Sequence, residues 1–209
     1  MNKYFDKSYT EILKEAKSSA PTPGGGSASA IVACMGNAMV SMVANLTSGK
    51  EKYAEYQDKI DALLVKTEDI MLRLEDLVDQ DMQVFSKFMT AIKMPKNNED
   101  EKSARAEAIE AASIVATEVP LKIAETCVEI IVLSLELCSY GNKGAISDVG
   151  IGAYVGEAAM YGAILSVDIN LGGIKNEAYV KQTTIKRNEL IETATKAREQ
   201  TISIVRERM

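Results

Sequence analysis

From Pro21 to Gly49 the chain carries no charged residue, and no other stretch restricts its fold as much. The stretch opens with Pro21-Thr22-Pro23-Gly24-Gly25-Gly26. Two prolines and three glycines end whatever precedes them and admit backbone conformations closed to other residues. Ser27 can then cap a helix. Ala28, Ala30, Ala33, Cys34, Gly36, Ala38, Ser41 and Ala44 keep that helix narrow on every face. Other helices can approach it from all sides, so it reads as the central rod of a bundle. A membrane span is the competing reading, since uncharged length allows one and small residues at four-residue spacing occur in spanning helices. Against it, Ser29, Asn37, Ser41, Asn45, Thr47 and Ser48 dilute the apolar content. No second strongly hydrophobic run is evident and no basic cluster flanks the stretch. The expectation is a core helix and no membrane association.

The 209 residues suffice for one domain, 1–209, with a sizeable core, and 46% of them are hydrophobic. A net charge of −6 and a pI near 4.9 argue against a general nucleic-acid binder. There is no histidine, which removes the usual neutral-pH base and the commonest metal ligand. Any catalysis falls to Asp, Glu, Lys, Tyr, Cys or backbone groups. Cys34, Cys127 and Cys138 lack metal-type spacing and sit in apolar surroundings, so they read as reduced core thiols rather than a disulfide or zinc site. The first residues, Met1 to Asp6, do not form a signal peptide, and the expected compartment is the cytoplasm.

The rest of the chain reads as helix. A short helix is expected over Ser8 to Lys17 and a long one from Lys52 to about Lys93. Two heptad series run through the long one: Ile60, Thr67, Leu74, Asp81, Phe88, and Leu64, Met71, Val78, Phe85, Ile92. Asp81 breaks this seam. Val78 and Phe85 share its face, and burying an unpaired carboxylate is costly. A structural ion pair and a catalytic acid or base with a raised pKa both fit, while Asp79 points elsewhere.

Pro95 ends the long helix and Asn98 starts the next. Lys93, Lys96 and Lys102 surround that corner, either merely solvated or facing a ligand carboxylate. A second long helix runs from Glu99 to about Ser139, interrupted by Pro120, with a kink or break expected near Ala116 to Glu118. After the turn Gly141-Asn142-Lys143-Gly144 comes a second small-residue helix, Ala145 through Leu165, expected to pack against the first or against its copy in another subunit. Asp148 lies in its first turn, where the helix dipole favours an acid, and is expected near the central cavity. The last helix, roughly Glu177 to Arg208, carries abundant charge and reads as a solvated outer helix. No alternating strand pattern appears, so the fold class is all-α: a helical bundle with long helices around a small-residue central helix.

Several pieces occur together in one order: Pro23-Gly24-Gly25-Gly26-Ser27, Asp79-Gln80-Asp81 with Phe85, Ala91-Ile92-Lys93-Met94-Pro95-Lys96, Val119-Pro120-Leu121 with Ala124, Asn142 with Asp148, and Asn170. In this the chain resembles the cyclodeaminase/cyclohydrolase family, the folate-acting domain of formimidoyltransferase-cyclodeaminase and its stand-alone bacterial relatives. The resemblance runs from about Ser18 to Asn176. It implies an all-helical homodimer with a tetrahydrofolate derivative bound at the subunit interface, and no metal or added cofactor. It implies one of two sister reactions: hydrolysis of methenyltetrahydrofolate to formyltetrahydrofolate, or ammonia release from formimidoyltetrahydrofolate to give the methenyl compound. A helical dimer or folate-binding protein that has lost catalysis is the reading from another class.

By the resemblance, the base on the long helix matches Asp81, with Asp79 second. Lys93 is a candidate acid or tail contact and Lys96 a contact for the substrate's glutamate tail. Twelve residues of helix, about 18 Å, separate Asp81 from Lys93, so both cannot act on one carbon from one helix. Asp148 is the candidate partner for the pterin's paired donors, with Asn142 supporting. Gly24, Gly25, Gly26 and Ser27 are expected to line the site with backbone N–H groups, and Asn170 to join them.

Overall fold

The computed structural model describes residues 3–209, and among these there is no strand. Six α-helices follow in order: α1 Tyr9–Ala16, α2 Gly25–Thr47, α3 Gln57–Ile92, α4 Glu99–Leu137, α5 Ile146–Leu171 and α6 Glu177–Arg208. Their ends are set by local side chains. Ser8 and Glu11 form a capping box on α1, Asn98 accepts from Glu101 N at the start of α4, and Asn176 accepts from Tyr179 N at the start of α6. Gly49, at φ +71°, turns the chain out of α2. A 3₁₀ segment, Glu51–Tyr56, leads into α3, so the α-helix starts five residues later than the apolar pattern suggests.

The two small-residue helices lie side by side. Where they cross, a Cβ on Gly152 would sit 2.7 Å from Val40 Cγ2 and 3.0 Å from the Gly36 carbonyl. The backbones meet there because neither residue has a side chain. They run antiparallel: Gly25 abuts Ser166 at one end, while Asn142, just before α5, binds Leu46 O at the other. Around this pair, α3 packs on α2, α6 packs on α5, and α4 touches both α2 and α5. The most deeply buried stretch is the second half of α4, where Ile123, Ala124, Cys127, Ile130, Ile131 and Leu137 have no exposed surface. All three thiols are buried and unpaired.

Two details differ from the sequence reading. The central rod is not covered on every side: α2 packs on three helices and leaves Val32 and Met35 open, 43% and 59% exposed. On α5, Tyr161, Leu165 and Ile169 add further exposed apolar surface, while Tyr154 borders a charged groove with Arg198 and Glu199 of α6. Second, both Gly25–Thr47 and Lys143–Leu171 are long and apolar enough to cross a membrane, where only one such run was expected. About half of each window, 56% and 50%, is buried against the other helices of the bundle, as core helices require.

Candidate active site

Proline at position 120 does not end α4, which continues unbroken through it. A proline lacks the N–H that would bind the carbonyl four residues back, so Ala116 O is left without its helical partner. Asn170, in the last turn of α5, donates to it from Nδ2 at 2.8 Å. This bond ties the end of α5 to the middle of α4 and closes one wall of a hollow of about 180 Å³. Val84, Phe85 and Phe88 of α3 form the apolar wall opposite, and Thr22 with Gly24, Gly25 and Gly26 forms the rim. Ser166, Ile169 and Asn170 share one face of α5.

Asp81 is the single charged side chain among the described residues that line this hollow. It is half-buried and has no cationic partner among the described residues. Its Oδ2 accepts from Ser27 N at 2.8 Å and from Ser27 Oγ at 2.6 Å. The α2 helix begins at Gly25 with Gly24 as its cap residue, and no side chain of its own caps it. Ser27 is therefore not the cap. It sits inside the first turn, and the carboxylate of another helix satisfies its orphan N–H. Burial pushes the Asp81 carboxyl above the usual carboxylate range, and the two Ser27 hydrogen bonds pull it partly back. A Cβ on Gly26 would lie 2.3 Å from Asp81 Oδ1, so the carboxylate can rest there only because position 26 is glycine.

The structure brings together Asp81, Gly24, Gly25, Gly26 and Asn170, with Ser27 directly behind Asp81. It does not bring in the others from the same chain. Asp79 turns to the N-terminal segment and accepts from Tyr4 N at 3.2 Å. Lys93 is the exposed residue that closes α3, and Lys96 is exposed in the loop beyond it. Asn142 sits at the far end of α2, about 33 Å away by helical rise, where it binds Leu46 O and the Thr47 hydroxyl. Asp148, in the first turn of α5, is about 27 Å from Ser166 by the same rise. The separation has a simple cause: α5 runs antiparallel to α2, so its start lies away from the glycine turn and its last turn lies beside it. Ending α5 at Leu165 hid Ser166 and Ile169. The pair Gly172-Gly173 was the available stop signal, and the 166/169/170 spacing marks one helical face.

A broader groove between α3 and α4, about 590 Å³, is lined by Val65, Val128 and Val132. Its charges are satisfied internally, with Arg73 bound to both Asp69 and Glu129. The hollow at Asp81 differs in holding a carboxylate with one oxygen committed and the other free of protein donors. That combination, in a cleft walled by Phe85 and Phe88, leaves the hollow with an acceptor able to exchange a proton.

The chain belongs to the formiminotransferase-cyclodeaminase family, whose model matches residues 8–206. It is 40% identical over 171 residues to methenyltetrahydrofolate cyclohydrolase of Methylorubrum extorquens, an alignment covering 82% of each protein. It is 32% identical over 190 residues to formimidoyltransferase-cyclodeaminase of Mus musculus, covering 91% of this chain but 35% of that longer protein. Its fold matches the crystal structure of formiminotetrahydrofolate cyclodeaminase from Thermotoga maritima, with a TM-score of 0.88, 26% identity and 96% of each chain covered.

Proposed function

We propose that this chain is a methenyltetrahydrofolate cyclohydrolase with Asp81 as its proton-transfer group. The observation that carries the reading is the unpaired, partly buried carboxylate in the aromatic hollow. The substrate is a cation whose charge is shared by two nitrogens across the electrophilic carbon between them. A carboxylate held without a cationic partner gains on meeting it, because the ligand supplies the missing charge. Phe85 and Phe88 offer flat apolar surface to the ring system.

The chemistry then needs one group acting twice. As water's oxygen bonds to the amidinium carbon, Asp81 takes one of its protons, giving a neutral tetrahedral carbon. The bond from that carbon to one nitrogen breaks as the carbon–oxygen double bond forms. Asp81 returns its proton to the departing nitrogen, and the hydroxyl proton leaves to solvent. The substrate is already activated by its own charge, so the step as written uses no metal or cofactor.

The likeness to the Thermotoga protein supports a second reading, ammonia release from formimidoyltetrahydrofolate. There Asp81 would take the proton of the attacking nitrogen and return it to the leaving ammonia. One assay decides: loss of methenyltetrahydrofolate absorbance with pure wild-type protein and with Asp81→Asn. Activity in the wild type alone supports the first reading. Ammonia release from the formimidoyl compound without methenyl hydrolysis supports the second, and neither activity above the spontaneous rate sinks both.

The reading includes a homodimer. The uncharged face of α2 and α5 is contiguous with the hollow through Ile169, which lines it and is 80% exposed. A second copy on this face would bury the patch and cover the mouth of the site. Leu165→Glu, at a residue 70% exposed on that face, should then give a monomer by sedimentation.

A further inference from the structure

Ser27 has no exposed surface, so it cannot touch anything bound in the hollow. Yet both of its donors, the amide and the hydroxyl, converge on a single oxygen of Asp81 at 2.8 and 2.6 Å. The other oxygen, Oδ1, lies against the Cα of Gly26, where any Cβ would clash at 2.3 Å. This seat removes the usual equivalence of carboxylate oxygens. A proton on Oδ2 would face the Ser27 amide, which can only donate, and would force the Ser27 hydroxyl to turn and accept, so protonation there weakens the pair of bonds that hold the carboxylate. A proton on Oδ1 breaks none.

We propose that Ser27 is the positioning residue of this site: by holding Oδ2 it fixes the plane of the Asp81 carboxylate and selects Oδ1 as the one atom that accepts and returns the proton. The role deepens the reading of Asp81 as proton-transfer group and rests on it. The hydroxyl also has an electrostatic consequence. Its bond favours the charged form and opposes the effect of burial. Among the described residues no other charged side chain competes, since α4 presents Ala116 and Pro120, α5 presents Ser166, Ile169 and Asn170, and Asp79 on the same helix faces Tyr4.

The test is a titration of protein labelled with ¹³C at aspartate carboxyls. The Asp81 resonance is identified by its loss in Asp81→Asn, and its midpoint is compared in wild type, Ser27→Ala and Ser27→Thr. Ser27→Ala should raise the midpoint by about one pH unit, the effect of losing one charge-assisted hydrogen bond. Ser27→Thr keeps the hydroxyl and should stay near wild type. In turnover, the acid limb of kcat/KM should move up by the same amount, with KM unchanged because Ser27 makes no ligand contact. An unmoved midpoint in Ser27→Ala overturns the proposal, as does a rise in KM with kcat unchanged. Thermal melts establish that each variant is folded, and should Ser27→Thr not fold, the Ser27→Ala midpoint decides alone. A shifted midpoint in a protein without folate turnover would sink the proposed reaction and the positioning role with it, leaving only Ser27's hold on the carboxylate. An unmoved midpoint in an active enzyme would sink the positioning role while the reaction stands.

Discussion

The two ends of α2 face the same physical problem and resolve it differently. Each leaves backbone groups without helical partners, and each borrows a polar side chain from a distant part of the chain. At the C-terminal end Asn142 donates to Leu46 O, its backbone N–H binds the Thr47 hydroxyl, and its own Oδ1 accepts from Gly144 N. Both ends of its amide are occupied, so the result is a joint. At the N-terminal end Asp81, in the wall of a hollow, accepts from Ser27 with one oxygen and has no protein donor on the other. A carboxylate with one free oxygen in a cleft can bind and exchange a proton, whereas a saturated amide can only hold. What separates a site from a joint here is unspent hydrogen-bonding capacity next to open space.

The contrast breaks most sharply at Asp81. Replacing it by Asn keeps an acceptor for Ser27 and removes the proton exchange, so turnover should fall by about 10³-fold with the fold intact, read as absorbance loss alongside a thermal melt. Gly26→Ala tests the seat. Its Cβ would displace the carboxylate, and turnover should fall by about a hundredfold even though Asp81 is present. At the other end, Asn142→Ala should cost about 1–2 kcal/mol in urea unfolding and leave kcat nearly unchanged. A large loss of kcat there would mean that Asn142 reaches a site in an assembled protein.

The smallest effect is on stability against pH. Burial holds the Asp81 carboxyl above its unfolded value, so folding favours the protonated form. That contribution is fully present below the unfolded pKa and is lost as pH rises through the folded one. Asp81→Asn has nothing to lose over this range. Its melting temperature relative to wild type should therefore rise from acid to neutral pH. A constant difference would mean that the carboxyl titrates as an ordinary exposed one.

The residues of the glycine turn, the seam-breaking Asp81 and the proline at 120 were all visible as departures from a helical pattern. Each contradicts what its neighbours are doing, and a local contradiction needs a reason that tertiary structure supplies. Lys93, Lys96, Asn142 and Asp148 followed from ordered resemblance, and the single chain places none of them at the hollow. Lys93 and Lys96 are solvated near the end of α3. Asn142 and Asp148 belong to the opposite end of the bundle.

Helix identity, approximate length and the narrowness of α2 and α5 were set by the sequence itself, because apolar periodicity, capping residues and side-chain size act within a few residues of chain. Tertiary structure alone decided which end of α5 meets the glycine turn, that Asn170 would fill the vacancy left by Pro120, and that Ser27 would serve Asp81 rather than its own helix end. Those outcomes depend on the antiparallel register of helices far apart in sequence. A hydrogen bond between residues 54 positions apart leaves no periodic trace along the chain that could announce it.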